Sequence, residues 1–557
     1  MKYTYLKICT ISFLMLAGCE NGLDLVPKDA VSDVSFWKTS EDFKRAANNL
    51  YNSLPGFSYA DNQSDITTAA SPNSISNGTL QTSETDAIWN DAFVYIRACN
   101  IILSKAKESS IAADLKPVVA EAKFFRAFNY WKLFVRYGGV PIIDKELEIK
   151  DELLYAPRAT SKETVDFILK DLDEAIPSLP NKSKLASGDM GRITDAAGIA
   201  LKARIALFVG TWGKYRNDAT ANTYIDLAID AAKTIMNTAQ FSLYTGKGAD
   251  SYRNFFLEPG EDSPETIFDR RYAFGIQDHG FARDAGYGAF EPTKKLADMY
   301  LCADGLPIDK SPMFKGYNEF SSEFQNRDPR MTMTFVIPGK VIKLGLYPLG
   351  TAAWPFYPQR NPKTGYTTYK FVSEDPVANA MENRYTYDNH IIRYAEILLI
   401  YAEALFEKNG SISDEDLNKS INLIRARAGM PALTNAFVSA NGLNMRTEIR
   451  RERTIELAME GFRYDDLRRW KTAETELPTE MKGIKIVGTP WAMPIIIEGQ
   501  DRNPYKDPAY QTKTDANGFM IVEPASTRSF NPIKSYLLPL PTKEILINPK
   551  LVQNPNW

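Results

Sequence analysis

Apolar residues recur at three-and-four spacing in several stretches of the chain, the period of a helix with one buried face. In Ala120–Tyr137 the positions are Phe124, Ala127, Phe128, Trp131, Phe134 and Val135, and Gly138, Gly139 and Pro141 end the run. Ile193–Trp212 with Tyr224–Asn237, and Ile391–Lys408 with Asp416–Ala428, predict two further helix pairs, each rich in Ala where helices must approach closely. Asp86–Leu103 reads as another helix. Such pairs cannot bury their apolar faces alone and stack as tetratricopeptide-like hairpins. The expected fold class is mostly α, a superhelical scaffold of helix pairs with long irregular loops and little β structure.

Residues 241–385 break this pattern. Pro and Gly recur, and 25 of the 145 positions are aromatic, against 12% for the whole chain. Most of these rings are expected to fill a core, because aromatics carry large buried areas. Residues 476–531, with Gly, Pro, Asn and Asp throughout, read as a second long irregular excursion. Glu448–Trp470 alternates both signs of charge around Ile455, Leu457, Ala458, Phe462, Leu467 and Trp470. Interleaving of this kind suits ion-pair networks or a solvated face rather than an anion-binding patch.

At the start of the chain, Lys2 and Lys7 precede an apolar run from Ile8 to Leu16, then Ala17, Gly18 and Cys19. The run is too short to span a bilayer and reads as a secretory signal over residues 1–18. Leu16-Ala17-Gly18-Cys19 looks like a bacterial lipobox, which makes Cys19 the acylated first residue of the mature protein and ties it to a membrane without crossing it. Residues 19–35 are the expected tether and 36–557 one large domain. Its parts are 36–240 (helical), 241–385 (aromatic and loop-rich), 386–475 (helical repeat) and 476–557 (loop and tail). Cys99 and Cys302 are expected as two buried free thiols. The net charge of -3 argues against nucleic acid as a partner.

No motif points to catalysis, a cofactor or a metal. His279 and His390 are the only histidines, and neither sits in a metal-binding or triad setting. Gly246-Lys247-Gly248 lacks the spacing of a phosphate loop. Asp515-Ala516-Asn517-Gly518 lacks the carboxylates of a calcium loop and reads as a turn.

Several segments together resemble the SusD/RagB family of Bacteroidetes nutrient-binding outer-membrane lipoproteins. They are the lipobox with Leu23-Asp24-Leu25-Val26-Pro27, then Phe36-Trp37-Lys38-Thr39, Ala120–Ile143 with its Tyr-Gly-Gly-Val-Pro turn, and Gly191-Arg192-Ile193-Thr194. Ile391–Ala404, Ile421–Gly429, Glu448–Trp470 and the tail from Leu537-Leu538-Pro539 to Asn554-Pro555-Asn556-Trp557 complete the set. The family often has Gly where Asn556 stands. The resemblance implies a lid on a SusC-like TonB-dependent transporter of the outer membrane, facing the cell exterior. It would capture oligosaccharides or, in some members, peptides, with no catalysis and no cofactor.

The resemblance also implies a ligand face on the loop after the first long helix and on the central excursion. Loop aromatics there are Tyr59, Trp89, Tyr272, Phe274, Tyr287, Trp354 and Tyr357, with Asp65, Asn73, Asn90, Arg271 and Arg283 as polar partners. Sugar rings present apolar C–H faces flanked by hydroxyls, which aromatic platforms and a few polar groups suit. For Trp89, inside a helix, core packing is the stronger expectation. A glycan-binding lipoprotein is the leading reading. A peptide-binding member, a surface glycoside hydrolase with an unassigned carboxylate pair, and a purely structural helical scaffold are the alternatives.

Overall fold

The computed structural model describes residues 36–286, 288–340, 363–380, 384–497, 499–501 and 503–557. Helices dominate. They include α1 (Ser40–Leu50), α2 (Ala87–Glu108), α3 (Lys116–Tyr137), α4 (Ser161–Ala175), α5 (Asp195–Lys214), α6 (Ala221–Asn237), α7 (Tyr394–Asn409), α8 (Ile421–Arg427), α9 (Met445–Glu456) and α10 (Arg463–Arg469). Chain neighbours pack in pairs: α2 on α3, α3 on α4, α5 on α6, with α7 laid against α6 and α9. Among the described residues strands are short and form four antiparallel pairs. These are β1 (Thr67–Thr68) with β3 (Glu291–Pro292), β2 (Thr266–Arg270) with β4 (Asn389–Arg393), β5 (Met481–Lys485) with β8 (Phe519–Glu523), and β6 (Ile496–Ile497) with β7 (Gln500–Asp501). Among the described residues no helix is long and apolar enough to cross a membrane.

Helix boundaries follow capping chemistry. Thr39 and Thr160 open α1 and α4 with reciprocal capping boxes to Asp42 and Glu163, and Asp86 and Thr194 cap α2 and α5. One expected continuous helix is broken, and the mixed-charge stretch forms two. The Asp416–Ala428 segment divides at Ser420 into a short helix and α8, with the buried Ser420 hydroxyl donating to Asp416 O at 2.6 Å. Glu448–Trp470 divides between α9 and α10, where Met459 and Gly461 adopt positive φ. Residues 476–531 are more ordered than their composition suggests. β5 finds its partner β8 some forty positions away, a pairing that local pattern does not disclose.

Two large hydrophobic clusters result. One is the helical core of α2, α3, α5, α6 and α7. The other is strongly aromatic, built from Phe255, Phe256, Phe281, Phe290, Phe335, Tyr366, Phe371 and Tyr505 among others. Most rings of the central excursion therefore serve as core. The C-terminal tail seals the end of α3, since Asn554 donates to Tyr137 O (3.1 Å) and Leu538 O (2.7 Å), and Arg158 grips Gly139 O (2.7 Å) and Asn554 Oδ1 (2.9 Å). At Gly139 a Cβ would lie 2.0 Å from Ala159 O, so the second glycine of the turn is a requirement of close approach.

Candidate functional site

The loop after α1 turns outward at Leu54 and presents Phe57 and Tyr59. It is held by two buried carboxylates. Asp61 accepts from the backbone N–H of Gly461 and Arg463, both at 3.1 Å, at the entry to α10. Burial nevertheless pushes its carboxyl up to about 6. Asp65 forms a two-pronged pair with Arg463 at 2.8 Å on each side. Asp65 is thus a fastener of the loop, not a ligand contact, because both its oxygens are spent on a buried guanidinium. Asn73 accepts through its side-chain oxygen from the N–H groups of Ile75 and Ser76 in its own turn.

A second segment arrives from β2. Beyond Arg270 the chain runs through Tyr272 to a tight turn closed by Ala273 and Gln277, with Gly275 at φ +77°. Phe274 at this turn is 52% exposed and Tyr59 38%. The Tyr59 ring stacks on Phe281 at 5.5 Å, and its hydroxyl donates to Asp284 at 2.8 Å. Phe57 bridges the two segments, 4.6 Å from Phe281 and 5.8 Å from Tyr272. Gly56 makes room for this, since a Cβ there would lie 3.0 Å from the Tyr272 hydroxyl. Tyr59, Phe57, Tyr272 and Phe274 thus form a ledge of rings at the surface. Phe57 was missed by sequence reasoning; its only signal is its place two residues before Tyr59.

The rim of the ledge is charged and paired. Arg384 lies 4.5 Å over the Phe274 ring and donates through Nε to Asp278 at 2.7 Å. Arg283 contacts Asp284 at 3.1 Å. Arg271 contacts Asp262 at 2.8 Å, with Asp388 at 3.4 Å and Asp269 at 3.9 Å. Gly191 (φ +90°) lets the Arg271 stem pass, as a Cβ would lie 2.4 Å from its Cδ. Asp388 accepts from Tyr272 N–H at 2.8 Å and so pins the ledge from beneath. Its second oxygen has no hydrogen-bond partner.

Burial, together with the neighbouring Asp269 charge, pushes Asp388 up to about 7. Its folded value lies above its unfolded one, so it favours folding fully below about pH 4 and loses that contribution as pH rises through 7. Asp388→Asn is expected to flatten the fall in melting temperature between pH 5 and 8. Glu291, raised to about 7, and Asp61 keep part of the slope. An unchanged slope refutes this role.

Neither histidine is a poised base. His279 sits among Phe57, Tyr272 and Tyr387 with Nε2 3.0 Å from Tyr387 O, and burial lowers it to about 4. His390 stacks on Phe255 at 4.1 Å with Nε2 2.9 Å from Phe255 O. Cys99 and Cys302 are free and buried. Among the described residues no group of three or more His, Cys, Asp or Glu side chains could hold a metal.

The other expected ring sites part company with the ledge. Trp89 is 4% exposed, packed on Phe93 and Tyr137, so it is core. With the exposed Asn90 it borders a different groove of about 820 Å³ between α2, residues 141–156 and residues 544–551. The helical twist of α2 carries both away from the loop that precedes it. Tyr287, Trp354 and Tyr357 lie outside the described residues, as does Cys19.

Comparison with known proteins gives a consistent picture. Residues 234–557 match the model described as the SusD family, and residues 31–207 match one described as starch-binding, associating with outer membrane. SusD-like protein P38 of Formosa agariphila is 26% identical over 494 residues, 83% of this chain and 90% of that protein. A SusD-like protein of Bacteroides ovatus is 22% identical, over 84% of this chain and 83% of its own. A solved SusD-like protein of Bacteroides fragilis superposes with a TM-score of 0.74 at 26% identity, covering 94% of this chain and 99% of that one. A second from the same species, described as a SusD-like carbohydrate binding protein, gives 0.75 at 24% identity, over 93% and 100%.

Proposed function

Because the chain belongs to the SusD/RagB family, we propose that it is a non-catalytic glycan-binding lipoprotein of the outer membrane. Anchored through Cys19 and facing the exterior, it captures oligosaccharides on the ledge and passes them to a SusC-like TonB-dependent transporter. The observation that carries this reading is the ledge itself. Phe57, Tyr59, Tyr272 and Phe274 offer ring surface at the end of a rigid scaffold, flanked by ion pairs able to donate to and accept from sugar hydroxyls. The matched family description, starch-binding and associating with outer membrane, supports it, as does the carbohydrate binding ascribed to the second fragilis protein.

Among its described residues the ledge shows no exposed carboxyl held protonated at neutral pH, the acid a glycoside hydrolase uses. Asp278 on the rim is instead held below the usual carboxylate range by Arg384. Asp388, which is raised, lies buried beneath Tyr272.

The test is native affinity electrophoresis of the mature chain carrying Cys19→Ala, which removes the acylation site. Gels contain a panel of plant, host and microbial polysaccharides. Retardation by at least one glycan, with no shortening of that glycan after overnight incubation, is expected. New reducing ends would move the reading to a hydrolase. Retardation by none, followed by thermal protection by peptides alone, would move it to peptide capture.

A further inference from the structure

Resting on that reading, we infer from the ion pairing around the ledge that the captured glycan is uncharged, neither a uronate nor a sulfated polymer. Anionic sugars are held by guanidinium or ammonium groups whose charge no carboxylate already counters, best as two-pronged pairs. The described ledge carries four arginines, which at the level of sequence would suggest an acidic ligand. Each is already engaged. Arg384 is paired with Asp278 and Arg283 with Asp284. Arg271 serves Asp262 and also faces the buried Asp388 and Asp269. Arg270 donates to Leu54 O at 2.5 Å. Lys182, beneath the same strand, donates to Thr266 O at 2.8 Å.

The balance of charge follows. Among the described residues Asp262, Asp278 and Asp284 each stand beside one of these guanidiniums, so the exposed arginines of the face are already countered by carboxylates. A ligand carboxylate or sulfate that took the remaining N–H groups of Arg384 or Arg283 would lie beside Asp278 or Asp284 and be repelled by it at close range. A hydroxyl meets no such conflict. It can donate to the carboxylate and accept from the guanidinium of one intact pair, while the ring's C–H face lies on Tyr59 or Phe274.

The experiment uses the mature chain with Cys19→Ala and the glycan that retards it best in its neutral form. That glycan is compared with the same polymer oxidised to uronate at its primary hydroxyls, and with polygalacturonate, alginate and chondroitin sulfate, at 20 and 500 mM NaCl. Expected is retardation by the neutral polymer at both salt concentrations and at least tenfold weaker retardation by every anionic one. Asp278→Asn with Asp284→Asn, checked for an unchanged melting temperature, frees two guanidiniums. This variant should gain affinity for the oxidised polymer, and 500 mM NaCl should abolish the gain. Wild-type protein that binds an anionic glycan as tightly as a neutral one, with affinity falling as salt rises, overturns the inference and leaves glycan capture standing. Retention by no glycan, short oligosaccharides included, overturns both.

Discussion

Tyr59→Ala combined with Phe274→Ala is expected to weaken glycan retention about hundredfold, with Phe274→Ala alone accounting for about tenfold. Each ring supplies a platform for one sugar face. A contact of that kind contributes on the order of 1–2 kcal/mol, counting both the aromatic interaction and the apolar area removed from water, and about 1.4 kcal/mol is a factor of ten. The two positions separate binding from folding. Phe274 is 52% exposed and touches Arg384 across the turn, so its loss should leave thermal stability within about 0.5 kcal/mol of wild type. Tyr59 also stacks on Phe281 and anchors Asp284, so its removal lowers the melting temperature modestly as well. Calorimetric titration with the retained glycan, alongside thermal melts, reads both effects. A double variant that binds like wild type removes the ledge as the site, whatever the protein's function.

The helical scaffold was legible because its signal is local. Apolar period, Thr and Asp caps and the Gly138-Gly139 stop are all written within a few turns of chain, and α2, α3, α5, α6 and α7 appear close to where the pattern puts them, whereas α4 was not predicted. The ledge was legible only in part. Tyr59, Tyr272 and Phe274 could be nominated as loop aromatics, yet nothing local says that Asp388, more than a hundred positions on, pins Tyr272, or that Asp61 ties the Tyr59 loop to Gly461. Trp89 is the converse case. Nearness in sequence to the ligand loop made it a candidate, but its place inside a helix favoured core packing, and its ring turns inward onto Phe93 and Tyr137. Of the two readings of the mixed charge in Glu448–Trp470, ion pairing holds, but its partners come from β4, α7, α8 and the aromatic half. Those partners are what convert a charged helix face into a buried joint.

That joint carries the largest expected loss of stability. Glu456 at the end of α9 is fully buried between Arg427 (2.5 Å), Arg393 (2.7 Å) and Arg330 (3.0 Å). The wider network adds Arg425 and Lys370 among the cations, and Glu265, Asp328, Glu452 and Glu460 among the carboxylates, five charges of each sign. Arg330 belongs to the aromatic half and α8 and α9 to the helical half, so the network joins the two cores on which the ledge depends. Glu456→Gln keeps the shape and removes one negative charge. It leaves a buried net positive charge and turns an amide donor toward guanidiniums, which should cost about 3–5 kcal/mol. The exposed pair Lys419–Glu415 is the control, where Glu415→Gln should leave the unfolding midpoint close to that of wild type. Burial opposes ionisation in this region, but the surrounding arginines win. Glu456 is held far below the usual carboxylate range, and Glu403, beside Arg469 and Arg453, comes down to about 2. Depressed values stabilise the fold above their unfolded values near 4.5, and that contribution is lost as pH falls through the folded values. Wild-type stability should therefore decline as pH falls below about 4.5, and its advantage over Glu456→Gln should be smaller at pH 4 than at pH 7. Urea unfolding at pH 7 and at pH 4 measures both differences. A Glu456→Gln variant as stable as Glu415→Gln at pH 7 would mean that the network contributes nothing to holding the two cores together.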